Sequence, residues 1–392
     1  MKEIIKTTVS YHGRTVGSLL LSPDWKRCVF GYDKSWIADG FSLSPLELPL
    51  QDGLFYADES FLNGCFAVFE DSMPDGYGLY LLDRMLRADG LSLRELTPLQ
   101  RLSLIGSAGM GALDYQPASL PVEPVSVLED TDFDDLQAKA LEIFSEKNEA
   151  DASFLYHNSH NSGGARPKAV VRRKDGSNWI VKFRHVYDPE DIGLTEYRHM
   201  KVAELCGIKV ARPALVKGKY FACQRFDIED GVRLHTVTAA ALMKTDFRAQ
   251  TADYTNLLAL TGYLTQDPAQ VEQMFRLMVF NIVSLNKDDH AKNFSFIYRE
   301  DPVAQPARMA AGPTAASASS GWQLAPAYDL TYSPEGTRGE HSTSVFFNGN
   351  PGLEDVLRAG TGIRIPRKHC LEIVEEIQAV CSARLSRIQR LI

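Results

Sequence analysis

Residues 286–295 read Asn-Lys-Asp-Asp-His-Ala-Lys-Asn-Phe-Ser, and within them Asp288 and Asn293 form D-x-x-x-x-N. Phosphoryl transfer to a hydroxyl needs a carboxylate that orients the nucleophile and accepts its proton. It also needs an amide oxygen that holds magnesium on the phosphates, and kinases place both at this spacing on one loop. A solvated polar loop would carry the same pair, so the surroundings matter. The segment VEQMFRLMVFNIVSL before it is apolar almost all round, as a buried central helix is, and NFSFIY after it reads as a short strand. A second metal-binding carboxylate is offered by Asp329 in Ala-Tyr-Asp-Leu, after WQLAP. An Asp capping a turn before Ser333-Pro334 would look the same. Lys182, flanked by apolar residues in WIVKF, has the character of a strand lysine that neutralises nucleotide phosphates. Glu196, in the helix that follows, is a partner for it; an outward-facing strand lysine is the plain alternative. Upstream, Asn161 to Lys168 (NSGGARPK) is a small-residue loop whose backbone N–H groups suit phosphate. It is neither a Walker A motif nor G-x-G-x-x-G, and alone it is a hairpin turn. What joins these residues is their order along the chain, that of a two-lobed kinase: glycine loop, strand Lys, helix Glu, strands, buried helix, D-x-x-x-x-N, second Asp.

The elements that must position these residues follow from local pattern. IIKTTVSY and TVGSLLL predict a hairpin turning at His12-Gly13-Arg14. Asp75-Gly76 opens a helix that stops at Gly90; a second helix spans about 93–105 and leads into the small residues 106–111. Residues 117–134 read as a linker into a helix at about 133–147. AVVRRKDGSNWIVKF predicts two strands around Lys-Asp-Gly, followed by a helix closed by Gly207 and two more strands to about residue 225. From about 235 the pattern is mostly helical, interrupted by an Ala/Pro/Ser-rich insertion at 301–320 and ending in a helix at about 366–391. The expected division is 1–115, a compact α+β unit; 116–226, with the glycine loop and strand lysine; and 227–392, helical, with the catalytic loop.

Composition narrows the class. The chain has 392 residues, 44% of them hydrophobic, enough for one large core or two to three smaller ones. A net charge of −8 argues against a broad basic surface for nucleic acid, though not against DNA binding through a partner. The six cysteines form no C-x-x-C pair, so neither a disulfide framework nor a structural zinc site is expected, and a reducing cytoplasm fits. We expect no signal peptide and no membrane span.

Taken together, SGGARPKA, IVKF, QRFD, DDHAKNFS and LAPAYDL resemble the HipA family, and FAVFEDSMPDG and LSLIGSAGMGAL resemble its N-terminal subdomain. The resemblance covers nearly the whole chain. It implies an α+β, two-lobed, eukaryotic-protein-kinase-like fold with an N-terminal α+β subdomain and a mostly helical C-terminal lobe. It implies an ATP- and Mg2+-dependent serine/threonine protein kinase acting as a toxin. Family members pair with a small helix-turn-helix antitoxin, so that DNA is bound only indirectly; some phosphorylate an aminoacyl-tRNA synthetase, which arrests translation. By position, Asp288 resembles the catalytic base, Asn293 and Asp329 the magnesium ligands, and Lys182 the phosphate lysine. Gly163, Gly164, Ala165, Arg166, Pro167 and Lys168 resemble the phosphate loop. Gln224, Arg225 and Phe226 resemble the hinge that touches adenine; His290, Ala291, Lys292, Asn293 and Tyr328 also line the nucleotide site. One departure is Asn161, where several members carry an autophosphorylated serine; Ser159 and Ser162 flank it as candidate acceptors. Two other readings use the same residues. A small-molecule kinase is disfavoured by the large N-terminal unit. An idle partner of a repressor is disfavoured by the presence of Lys182, Asp288, Asn293 and Asp329 together.

Overall fold

The first hairpin forms as its pattern predicts: strands Lys6–Tyr11 and Arg14–Leu21 pair antiparallel. His12 and Gly13 take positive φ, 49° and 76°, the mirror-turn geometry that matches strand twist. Thr7, Val9 and Tyr11 are buried and alternate with half-buried neighbours, the period of a strand with one face on a core. The sheet is completed by Cys28–Tyr32, Phe55–Tyr56 and Leu113–Gln116, all antiparallel. This computed structural model describes residues 3–121, 124–144, 151–159, 163–246, 252–300, 321–336 and 339–392. The expected insertion at 301–320, together with Asn161 and Ser162, lies outside them.

The chain folds as two compact units, Met1–Glu190 with Asp227–Val237, and Asp191–Phe226 with Thr238–Ile392. In the first, helix Gly76–Ala88 buries Tyr77, Leu81, Leu82 and Leu86, the helical spacing of an amphipathic face. The second expected helix resolves into a 3-10 turn at Leu93–Glu95 and helix Pro98–Ile105. The break falls at Thr97, whose capping box with Gln100, followed by Pro98, starts a new helix. Helices Phe133–Phe144 and Ala152–Ser159 lead to the hairpin Lys168–Arg172 and Asn178–Lys182, turned at Gly176 with φ 86°. Segment 227–237 rejoins this unit through Arg233, which donates to the carbonyls of Gly111, Ser107 and Leu113 and to Asp114, at 2.7–3.1 Å.

In the second unit, helix Pro268–Val283 is buried from Met274 onward except at Arg276, as its all-round apolar sequence predicts. Helices Tyr254–Thr265 and Arg367–Arg384 pack on it. The last helix ends at Arg384, seven residues before the expected end, because Leu385 turns extended (φ −110°, ψ 142°). The tail folds back instead: Gln389 N–H donates to the Val283 carbonyl at 2.9 Å, one of the helix-end carbonyls left without an intrahelical donor. Among the described residues, no helix is long and apolar enough to cross a membrane, and all six cysteines are free thiols.

Candidate active site

Where the central helix ends, Leu285 at φ 58° turns the chain outward. Burial then alternates: Asn286 and Lys287 are buried, Asp288 is exposed, and Asp289 is fully buried. Lys287 Nζ donates to the Gly339 carbonyl at 2.6 Å and to Asn350 Oδ1 at 3.0 Å. The Asp289 carboxylate accepts from Tyr254 Oη (2.7 Å), His341 Nδ1 (2.9 Å) and Thr343 N–H (3.2 Å). Because a carboxylate only accepts, His341 carries a proton on Nδ1. The network continues inward, with Asn281 Nδ2 donating to Tyr254 Oη at 2.9 Å and Asn286 Nδ2 to Asn281 Oδ1 at 3.0 Å. Burial, and then the Asp289 charge, push the Tyr254 phenol well above its ordinary range, so it remains a donor. Asp288 is thus held outward between two anchored neighbours.

A 3-10 turn at Ala291–Asn293 brings Asn293 back to Asp288, whose carbonyl accepts from Asn293 Nδ2 at 2.8 Å. With Nδ2 engaged, Oδ1 is the atom offered to a cation. Strand Ser295–Tyr298 pairs with Trp322–Leu324, and the Tyr328 hydroxyl then donates to the Lys292 carbonyl at 2.6 Å and lies 2.6 Å from Ser295 Oγ. Asp329 follows at φ 57°, a left-handed conformation that an Asp tolerates and that recurs at functional sites. The Phe226 ring sits 5.2 Å from that of Tyr328, and Gln224 N–H donates to the Arg212 carbonyl at 2.9 Å. This unit therefore gathers Asp288, His290 to Asn293, Tyr328, Asp329 and Phe226. The Asp329 carboxylate and the Asn293 amide oxygen are donor types that suit magnesium.

Ser159, the loop from Gly163 to Lys168, and Lys182 belong to the first unit. Lys168 and Lys182 are direct partners across the antiparallel hairpin, so their side chains share a face. Like charges so placed repel unless an opposite charge lies between them. Lys168 is buried and donates to the Gly163 carbonyl. Arg166 grips Asp188 with two nitrogens at 2.9 and 3.2 Å. Burial opposes ionisation of Asp188, but the Arg166 fork and the His185 N–H more than offset it and hold the carboxyl below its usual range. Ser159 is buried and its hydroxyl donates to the Tyr156 carbonyl at 3.0 Å, so phosphorylation there would require that helix end to open. Glu196 is buried in the second unit, and Lys182 lies in the first.

Sequence reasoning missed the roles of five residues. Asp75 reads as a helix cap, yet no hydrogen bond caps its own helix; its carboxylate accepts from Gly164 N–H in the phosphate loop. Tyr77 N–H donates to the Gly164 carbonyl at 3.0 Å. Asp289, His341 and Tyr254 carry no local signal, because their partners are distant in the chain. Beyond His341, Phe346 and Phe347 take φ 52° and 63°, a conformation costing bulky residues on the order of 1–3 kcal/mol each.

A HipA N-terminal domain model matches residues 7–116, and a HipA-like C-terminal domain model matches residues 161–384. A sequence search among curated proteins found no match. The fold is similar to that of HipA of the Shewanella oneidensis toxin–antitoxin system, solved with HipB and its operator DNA. The TM-score is 0.68 at 18% identity, over 98% of this chain and 92% of that one. The Helicobacter pylori proinflammatory kinase CtkA aligns over 58% of this chain and 90% of its own, with a TM-score of 0.37 at 16% identity. Matched by these two domain models along most of its length, the chain belongs to the HipA family.

Proposed function

We propose that this protein is an ATP-dependent serine/threonine protein kinase and the toxin of a HipBA-type system, acting in the cytoplasm. The observation that carries the reading is the exposed Asp288 fixed between buried anchors, with Asn293 turned back onto it and Asp329 tied to the same loop through Tyr328. Asp288 orients the acceptor hydroxyl and takes its proton. Asn293 Oδ1 and the Asp329 carboxylate would hold magnesium, which would supply charge neutralisation on the phosphates. Lys182, Lys168 and the N–H groups of the 163–168 loop hold the phosphates, a role supported by the two lysines facing each other across the hairpin. Gln224, Arg225 and Phe226 carry the adenine. In this reading residues 1–115 are the HipA N-terminal subdomain, 116–226 carry the phosphate machinery, and 227–392 carry the catalytic loop. The acceptor is a protein, with an aminoacyl-tRNA synthetase as the first to try. By likeness to the Shewanella complex, the partner is a small helix-turn-helix antitoxin through which DNA is bound.

Transfer of labelled γ-phosphate from ATP with magnesium into cell lysate tests the reading. Asp288→Ala and Asp329→Ala are expected to keep the thermal unfolding midpoint and to lose at least about 10²–10³-fold in transfer. Undiminished labelling by a folded Asp288→Ala protein would sink it. Labelling of a metabolite rather than a protein would move the assignment to a small-molecule kinase.

A further inference from the structure

The strand that anchors the catalytic loop ends in a turn whose backbone suits other residues. Val345 and Asn348 exchange both backbone hydrogen bonds at 3.0 Å, which makes Phe346 and Phe347 the central pair of a tight hairpin turn. Both have positive φ, 52° and 63°. Asn-Gly and Asp-Gly are the ordinary occupants of this geometry. Asn348-Gly349 follows at once in the chain and is left outside the central pair. Two side chains hold the aromatic pair in place. The Asp253 carboxylate accepts Phe347 N–H at 2.9 Å and the Ser344 hydroxyl at 2.8 Å. The Arg358 guanidinium lies 4.1 Å from the centre of the Phe346 ring. Burial of Asp253 works against its charge, but hydrogen bonds from Thr255, Phe347 and Ser344 more than offset this and keep its carboxyl below the usual range. The outcome is a half-buried Phe346 and a Phe347 that is 95% exposed.

Folding alone gives no reason for this arrangement. The Phe347 ring buries almost nothing, and its backbone conformation opposes it; strain of this kind persists where function uses it. The same strand brackets Asp288. Ser342 N–H and hydroxyl donate to the Lys287 carbonyl at 3.0 and 3.1 Å, and Thr343 N–H donates to Asp289. From Thr343 to Phe347 the chain can span at most about 14 Å. We propose that Phe347 is an anchor for the protein acceptor: a segment whose serine or threonine hydroxyl sits at Asp288 lays an apolar side chain (Leu, Met or aromatic) on the exposed ring. This rests on the kinase reading and narrows its substrate class, because a metabolite held at Asp288 is too short to use an anchor several residues away. A rigid aromatic with two side-chain torsions gives contact area at small entropic cost and is typical of interface cores.

The test is Phe347→Gly, which removes the ring and suits positive φ, with Phe347→Leu as the conservative control. The measurements are labelling of lysate protein from γ-labelled ATP, ATP affinity by calorimetry, thermal midpoint, and mass in solution. For Phe347→Gly we expect an unchanged or higher midpoint, unchanged ATP affinity and mass, and protein labelling at limiting lysate reduced at least about tenfold. Phe347→Leu is expected to recover most of it. Equal labelling by an active wild type and Phe347→Gly overturns the anchor and leaves the kinase standing. No protein labelling by wild type removes both. A lowered midpoint or lost ATP binding makes the ring structural, and a changed mass assigns it to an interface between copies; either overturns the proposal.

Discussion

Asp288 owes its position to its neighbour. Asp289 is the shared acceptor for Tyr254, His341 and Thr343, three buried donors that would lose their partner if it were removed. A buried donor left unpaired costs about 1–3 kcal/mol. Asp289→Ala is therefore expected to lower unfolding stability by about 3 kcal/mol or more, read as a shift of the urea midpoint at constant slope. Asp289→Asn, which keeps an acceptor oxygen, is expected to cost less. A shift below about 1 kcal/mol for the alanine variant would mean that the network contributes little. The contrast between Asp288 and Asp289 also marks what the sequence reveals at this scale. D-x-x-x-x-N is legible because its two members and the turn that joins them are local. Asp289 is not legible, because its meaning lies in His341, 52 positions away; side by side in sequence, the two aspartates are chemically equivalent.

At the scale of elements, the phosphate loop is supported by the start of a helix nearly ninety positions upstream. Asp75 lends its carboxylate to Gly164 N–H across 89 positions, and Gly76, at φ 46°, packs so closely that a Cβ would lie 2.6 Å from the Gly164 backbone. Gly76→Ala must therefore move the loop. We expect ATP affinity to fall about tenfold or more, a kcal/mol or two, with the far-ultraviolet circular dichroism unchanged. Gly90→Ala is the control: it too has positive φ, 72°, but open space around it. It is expected to cost about 1 kcal/mol of stability and to leave ATP affinity alone. Calorimetric titration of ATP into both variants decides; equal affinities would separate the helix start from nucleotide binding. The helices and hairpins themselves were readable, because Leu81, Leu82 and Leu86, or Thr7 and Val9, repeat at the period of their element. The places where reading failed were set by partners outside the window. Thr97 broke one expected helix through its cap, and the tail left the last helix because Val283 and Gln378 offered it other bonds.

At the scale of the whole molecule, the chain crosses from one compact unit to the other and back, and segment 227–237 is the return. Beside the Arg233 contacts, it is held by fully buried His235, whose Nε2 donates to the Leu43 carbonyl at 2.8 Å. Burial pushes the His235 imidazole down from 6.5 to about 4. The unfolded chain then takes up a proton at a pH where the folded one does not, so the segment's contribution is complete above about 6.5 and is lost as pH falls toward 4. The ceiling is on the order of 3 kcal/mol. His199, in the second unit, is also lowered by burial and acts in the same direction, whereas the depressed carboxyl of Asp188 loses its contribution only as pH falls below the ordinary carboxylate range. The thermal midpoint is therefore expected to drop steadily between pH 7 and 4, and His235→Gln is expected to flatten part of that slope while leaving the part due to His199. A variant whose midpoint falls with pH as steeply as that of the wild type would show that the return segment stays docked with a charged imidazole, and would place the acid sensitivity of the fold in the second unit.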